Sequence, residues 1–270
     1  MKKIFIGTLA ILSLISLVAC SSSKDVSKKS ITDKGRIIVA TESEFAPFEF
    51  KTLINGKDTL VGADVKLAKA IADSLGVDVT FSVMSFNNVL ASVTSGKADI
   101  AIAGISVTEE RKKAYNFSNS YYESENVVII KKTDVTSYTS LNNLTNKSIG
   151  VQKGSIQENL ASTQLPNSNI VSLTSNSEMI NELKSNHLQA VVLEKAIAEG
   201  YVARNDDLMI ADMTLKSKGT DAYAVAFAKG TNQDLIDSVN KVIADSTSSG
   251  KFDTWLKEAG AYTQATSSSK

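Results

Sequence analysis

The chain has 270 residues, with 29 basic and 29 acidic side chains, 43% hydrophobic and 6% aromatic residues and only two prolines, so it has no basic excess to attract nucleic acid and the composition of an ordinary globular α/β protein. Its single Cys rules out a structural disulfide and a metal site of several thiolates. The only His, His187, stands in the polar turn KSNHLQ and is read as exposed, so neither a His-based triad nor a His-rich metal cluster is expected.

In chain order, MKKIFIGTLAILSLISLVAC comes first: a doubly basic start, then an apolar run too short for the ~20 residues of a membrane-spanning helix. Residues 1–19 are read as a signal peptide, and LVAC matches the bacterial lipobox, in which Cys20 carries the lipid. Residues 20–35, rich in Ser and Lys, are read as a flexible tether. Together these predict a domain held on the outer face of the cytoplasmic membrane by an acyl anchor. Loss of Lys2 and Lys3 with the signal leaves 27 basic against 29 acidic side chains, a net of −2.

Ile37 to Ala40 is a short apolar run that suits a buried strand. From Asp64 to Leu75 the apolar residues Val65, Ala68, Ile71, Ala72 and Leu75 recur three or four apart and Gly76 follows, which predicts a helix with its stop. VDVTFSVM (77–84) alternates as a strand, 87–95 is a short helix before Gly96, and ADIAIAG (98–104) is a third strand. The alternation restarts downstream: 126–132, 147–152 and 188–194 read as strands, 155–162 and 177–185 as helices. DAYAVAFAKG (221–230) is strand-like, and 234–259 carries helical stripes, with Thr231 and Asp234 at capping-box spacing. This pattern predicts two α/β units with helices packed on parallel sheets. No Gly-rich phosphate motif of P-loop or dinucleotide spacing is present, and no cofactor is expected.

One stretch poses a question of its own. AGISVTEERKKAYNFSNSYY (103–122) leaves an apolar strand for a charged turn in which Arg111 stands among Glu109, Glu110, Lys112 and Lys113. Arg111 is either one more solvated charge or the one cation that turns inward to hold an anion.

ATESEFAPFEF (40–50), VGADVKLAKAIADSLG (61–76), the GKADIAI run and the Arg111 segment together resemble the polar amino-acid binding proteins of bacterial ABC importers, solute-binding protein family 3. The likeness runs from about Gly35 to about Gly260, with Ala63 and Lys66 departing from the family's helix signature. It implies a two-lobed, type II periplasmic-binding-protein-like clamshell of α/β class, each lobe a mainly parallel sheet flanked by helices. Lobe 1 would be 36–122 and 224–262, lobe 2 126–219, with hinges at 123–125 and 220–223 and a disordered tail at 263–270. A ligand would sit at the carboxyl ends of strands, between the lobes.

The same resemblance assigns roles. Arg111 would fork onto the α-carboxylate of a free L-amino acid, which its planar donor pair fits as Lys does not. Backbone N–H groups near Ser106 and at Ser155, before a helix whose first amides are free, would complete that cage. The Gly104 carbonyl, the Ser106 hydroxyl and Glu194 would accept from the α-ammonium; the family more often has Asp at the last position. Phe45 and Phe86 would sandwich the ligand side chain, while Phe48 and Phe50 are read as core. Glu42 would meet the distal polar group and favour Arg, Lys or His, or accept from a Gln amide, with Gln152 and Gln157 as lesser candidates. The implied partners are a permease with its ATPase and the membrane through the lipid anchor, with the protein a monomer. An enzyme of the same fold, of cyclohexadienyl dehydratase type, and an amino-acid sensor remain open alternatives.

Overall fold

The computed structural model describes residues 26–217 and 221–265; the expected signal peptide, Cys20, hinge residue Thr220 and the tail beyond Ala265 lie outside the described residues. The chain opens with α1 (Lys28–Asp33), β1 (Arg36–Thr41), β2 (Glu44–Phe45), β3 (Glu49–Ile54), β4 (Lys57–Val61), α2 (Ala63–Leu75), β5 (Asp78–Val83), α3 (Phe86–Thr94) and β6 (Ile100–Ala101). Next come α4 (Glu109–Ala114) and β7 (Tyr115–Ser124). A second unit is built from β8 (Asn126–Lys131), β9 (Ser148–Gln152), α5 (Ile156–Gln164), β10 (Asn169–Leu173), α6 (Asn176–Lys184), β11 (Ala190–Glu194), α7 (Lys195–Val202) and β12 (Leu208–Leu215). The chain returns to the first unit with β13 (Asp221–Ala228), α8 (Gln233–Ser248) and α9 (Lys251–Ala265).

Each unit has a five-stranded sheet, ordered β5-β1-β6-β13-β7 in the first and β10-β9-β11-β8-β12 in the second. In the first, β5, β1 and β6 run parallel and β13 is antiparallel to both neighbours. In the second, β10, β9 and β11 run parallel and β8 is antiparallel to β11 and β12. The parallel strands β1, β9 and β11 are almost entirely buried, as strands covered by helices on both faces must be. The two segments that cross between units pair with each other, Glu123 with Ala222 and Ser124 with Asp221. A small antiparallel sheet, β2-β3-β4, is attached to the first unit.

Helix α2 shows why the first unit holds together. It buries Val65, Leu67, Ala68, Ile71, Ala72 and Leu75 on one broad face, and Gly76 ends it in the left-handed conformation, its N–H returning to the last carbonyls. Its entry is just as specific: Gly62 sits at φ 132° with the Phe48 carbonyl oxygen 1.9 Å from where a Cβ would be, so only glycine fits. Tyr223, fully buried on β13, gathers the rings of Phe45, Phe48, Tyr121 and Tyr122 at centroid distances of 5.2 to 6.3 Å. Phe48 and Phe50 are core, as expected.

Three expectations are corrected. The tether read over 20–35 is structured from Val26 onward: α1 has a capping box at Ser27, buries Ile31 completely and ties to the start of α8 through Asn232 N–H to the Val26 carbonyl at 2.9 Å. The capping box at Thr231 and Asp234 does not form; Asn232 occupies the N-cap of α8, the Thr231 hydroxyl is buried without a partner, and Asp234 accepts from the Lys28 N–H instead. The tail expected from 263 is helical backbone as far as Ala265.

Candidate functional site

The carboxyl ends of β1, β6, β9 and β11 face one another across the gap between the units. Glu42 follows β1 directly and is 3% exposed. Burial first, then the charges of Glu44 and Glu194, push its carboxyl up to about 8, against a hydrogen bond from Gln152 that favours the charge. That bond crosses the gap: Gln152 Nε2, at the end of β9, donates to Glu42 Oε1 and Oε2 at 3.3 and 3.1 Å. Gln152, a lesser candidate by sequence, thus contacts Glu42 directly.

Arg111 lies on α4, whose N-cap Thr108 accepts from the Arg111 N–H at 3.0 Å and fixes the first turn. Its guanidinium turns inward. Nη1 donates to the Ser106 carbonyl at 2.8 Å, Nη2 crosses to the Gly154 carbonyl at 3.1 Å, and Cζ stands 5.8 Å from the Phe86 ring centroid. Burial lowers the Arg111 pKa to about 10, and the charge of Glu194 acts in the opposite sense. The inward reading of this residue therefore describes its geometry.

Glu194, the last residue of β11, is 5% exposed; burial raises its carboxyl to about 7 against its own backbone, Gln157 and Arg111. Gln157 Nε2 donates to Asn126 Oδ1 at 2.6 Å, and Asn126 Nδ2 donates to Asp221 at 2.5 Å. Buried polar groups of this kind need their partners, and here one chain of bonds links β8, α5, β11 and β13. Gly104 and Ser106 follow β6; both are buried, with Ser106 bridged to Tyr223. Gly104 sits at φ 55° and a Cβ there would lie 2.4 Å from Phe45 Cε1, so the ring and the peptide are in direct contact. Phe45 and Phe86 are 3% and 7% exposed.

Ser155 is corrected. Its N–H, expected to be free for an anion, donates to the Gln152 carbonyl at 3.1 Å, and its hydroxyl caps α5 by accepting from Glu158 N–H. The tight KGS turn uses that amide to close itself. Asn126, Asp221, Glu44 and the buried pair Glu49 and Asp64 escape sequence reasoning; a polar residue opening the apolar run NVVII was the one signal for Asn126. His187 is exposed and pairs with Glu182, far from the cleft.

Further contacts close the gap at its rim. Glu44 Oε2 accepts from Ser175 Oγ at 2.6 Å and from Ser177 N–H at 3.3 Å, and Gly154 lies against the Asn87 backbone. Two shallow surface depressions, beside Gly35 and Asp78 and beside Lys112 and Lys229, lie away from this cleft and gather no convergent buried polar groups. Among the described residues no group of three or more His, Cys, Asp or Glu is placed to hold a metal ion, and no helix is long and apolar enough to cross a membrane.

The profile of the bacterial extracellular solute-binding proteins, family 3, matches residues 37–259. The chain belongs to that family. Among similar proteins, the arginine-binding extracellular protein ArtP of Bacillus subtilis is 33% identical over 263 residues, 96% of this chain and 98% of ArtP. A probable histidine-binding protein of Campylobacter jejuni is 29% identical, covering 96% of this chain and 98% of its own length. The crystal structure of AbpA, an amino acid ABC transporter substrate-binding protein from Streptococcus pneumoniae bound to L-arginine, superposes with a TM-score of 0.84 at 46% identity, over 87% of this chain and 98% of that one. The architecture is accordingly the two-lobed type II periplasmic-binding-protein fold.

Proposed function

We propose that the protein captures an L-amino acid with a cationic side chain, arginine foremost, by closing its lobes on it, and delivers it to the permease of an ABC importer. The observation that carries this reading is the buried Glu42, held by Gln152 from the opposite lobe and with no cationic hydrogen-bond partner among the described residues. A buried carboxylate without a counter-charge is costly, and a guanidinium brought by a ligand supplies the planar fork that fits it. The arginine bound to AbpA and the name of ArtP agree with that chemistry.

In this reading Arg111 exchanges its contacts with the Ser106 and Gly154 carbonyls for the ligand carboxylate, while Glu194, the Gly104 carbonyl and the Ser106 hydroxyl receive the ammonium. Phe45 and Phe86 flank the aliphatic stem. Contacts from both lobes favour the closed state, so binding and closure are one equilibrium. Lipid attachment at Cys20 would keep a monomeric carrier near its permease at high effective concentration.

Titration calorimetry of the purified protein against arginine, lysine, histidine, glutamine and cystine tests the reading, with arginine expected to bind most tightly. Removing one member of a buried charged pair costs ~2 to 5 kcal/mol, so Arg111→Ala is expected to lower affinity by about one and a half to three and a half decades. Parent-like binding by that variant would remove the carboxylate assignment. Product formed from prephenate or arogenate would favour the dehydratase alternative instead.

A further inference from the structure

Behind the cleft, the described residues hold a pair of carboxyl groups that the binding chemistry above leaves unused. Glu49, the first residue of β3, is 0% exposed, and Asp64, on the first turn of α2, is 1% exposed. Asp64 Oδ2 accepts from the Gly104 N–H at 3.0 Å and from the Tyr121 hydroxyl at 2.8 Å. Asp64 Oδ1 and both Glu49 oxygens have no N–H or hydroxyl donor. The two residues are neighbours, since the Asp64 N–H donates to the Phe48 carbonyl, one residue before Glu49, at 2.9 Å, and three buried carboxyl oxygens without a donor call for a proton between the groups rather than two adjacent charges.

We propose that Glu49 and Asp64 share one proton and act as a positioning pair for the binding site, fixing the Gly104 peptide and the Phe45 ring against which an amino acid's ammonium end would be seated. The ligand part rests on the amino-acid reading above; the proton and Gly104 parts do not.

The surroundings all act to keep the proton. The groups that act on Glu49 by charge are Asp64, Glu42 and Glu194, all acids that add to the rise once ionised, and the hydroxyl groups acting on the pair are those of Tyr121 on β7 and Tyr223 on β13. Burial, then Asp64, holds the Glu49 carboxyl well above the usual range, whereas the Gly104 N–H and Tyr121 bonds moderate the rise at Asp64, to about 6. Two ionised carboxylates in contact inside a dry core would repel strongly; one proton converts the repulsion into a bond. The proton therefore sits on Glu49, and Asp64, as the charged acceptor, grips Gly104 through the stronger, charge-assisted kind of bond.

Both members reach the site through backbone. Glu49 is the cross-strand partner of Phe45 in the β2-β3 pair. Asp64 holds the Gly104 N–H, and Gly104 touches the Phe45 ring. The pair thus braces the ring and the peptide whose contact forms one wall of the candidate site.

The test begins with ligand-free protein. A native Glu49 that keeps a proton which the unfolded glutamate loses near its ordinary 4.5 makes stability fall as pH rises above that value. In urea unfolding between pH 5 and 8, Glu49→Gln, which keeps a donor but cannot titrate, is expected to reduce the parent's slope by about one proton. Exchange of the Gly104 amide is expected to speed up in Asp64→Ala and Glu49→Ala but not in Glu49→Gln. With arginine as probe, leaving the buried Gly104 N–H unpaired in Asp64→Ala is expected to weaken binding about tenfold or more, while Glu49→Gln stays within about threefold of the parent. An unchanged pH slope in Glu49→Gln would overturn the shared proton, whether or not the alanine variants fold. Parent-like Gly104 exchange in a folded alanine variant would overturn the positioning role. If the parent itself fails to bind arginine, the ligand reading falls, and the slope and the amide exchange still decide on the pair.

Discussion

Glu42 makes a pH test of the ligand at the level of single residues. Its carboxyl titrates at about 8 and that of Glu194 at about 7 because both are buried, so near neutral pH the ligand-free site holds protons that solvent-exposed glutamates would have lost. A cationic ligand demands the ionised forms. Its affinity is therefore expected to rise with pH from 6 to about 8 and then level off, and binding at pH 7 is expected to release about one proton. Calorimetry in two buffers of different ionisation enthalpy reads that proton directly. The sign for stability is opposite: the raised values favour the ligand-free fold at low pH, and that contribution is lost as pH climbs from the ordinary 4.5 through 7 and 8. Glu42→Gln is expected to abolish most of the proton release and to bring the arginine and glutamine affinities together. Equal proton release by this variant and the parent would place the titrating group elsewhere.

Among the elements, legibility followed the ratio of apolar signal to length. Helices α2 and α8 carry six or more buried residues at helical spacing and stand out in the sequence; α1 buries only Ile31 within its own span and looks like the Ser- and Lys-rich run around it. The β2-β3-β4 sheet was missed because its burial comes from packing under α2, with only β3 alternating, and then only over its last residues. Strand β12, broken by Asp212, and α7, which starts immediately after β11, likewise gave no separate signal. The site divides the same way. Arg111 and Phe45 stand in motifs that carry the resemblance, and Glu194 and Phe86 at positions to which it assigns a role, whereas Asp64 and Glu49 stand in the same motifs with no role assigned and are acids in amphipathic runs, which by pattern alone face water. Only the tertiary fold, which stacks β3, α2 and the turn after β6, makes them interior. Helix α1 offers a direct check on this distinction. Ile31 is fully buried and the helix is tied to α8 by the Val26 carbonyl and Asp234. Ile31→Ala is expected to lower the unfolding free energy by about 2 kcal/mol, the low end for such truncations because a terminal helix can settle into the space. A urea-unfolding change below a few tenths would mean that 26–35 behaves as the tether its composition suggests.

For the molecule as a whole, three of the hydrogen-bonded contacts between the lobes differ in what they leave for a ligand. Arg111 to Gly154 and Glu42 to Gln152 use groups that an amino acid would itself engage, so their contribution to closure is exchanged on binding. The bonds of Glu44 to Ser175 and Ser177 do not: Glu44 is exposed at the rim, and its acceptors' partners open α6, where the helix dipole favours a carboxylate. This rim contact adds to the closed state with or without ligand, and by linkage whatever it adds to closure it adds to affinity. A hydrogen-bonded contact of this exposure is worth about 1 kcal/mol, so Glu44→Ala is expected to weaken arginine binding about fivefold through a lower closed population, with the ligand contacts intact. The signature is a split between two measurements. Small-angle scattering of the ligand-free variant is expected to show a larger radius of gyration than the parent, while the arginine-saturated forms scatter alike, because at saturation both are closed. A variant that bound arginine fivefold more weakly but scattered like the parent when ligand-free would assign Glu44 to the pocket itself, and the rim contact would then have no separate part in closure.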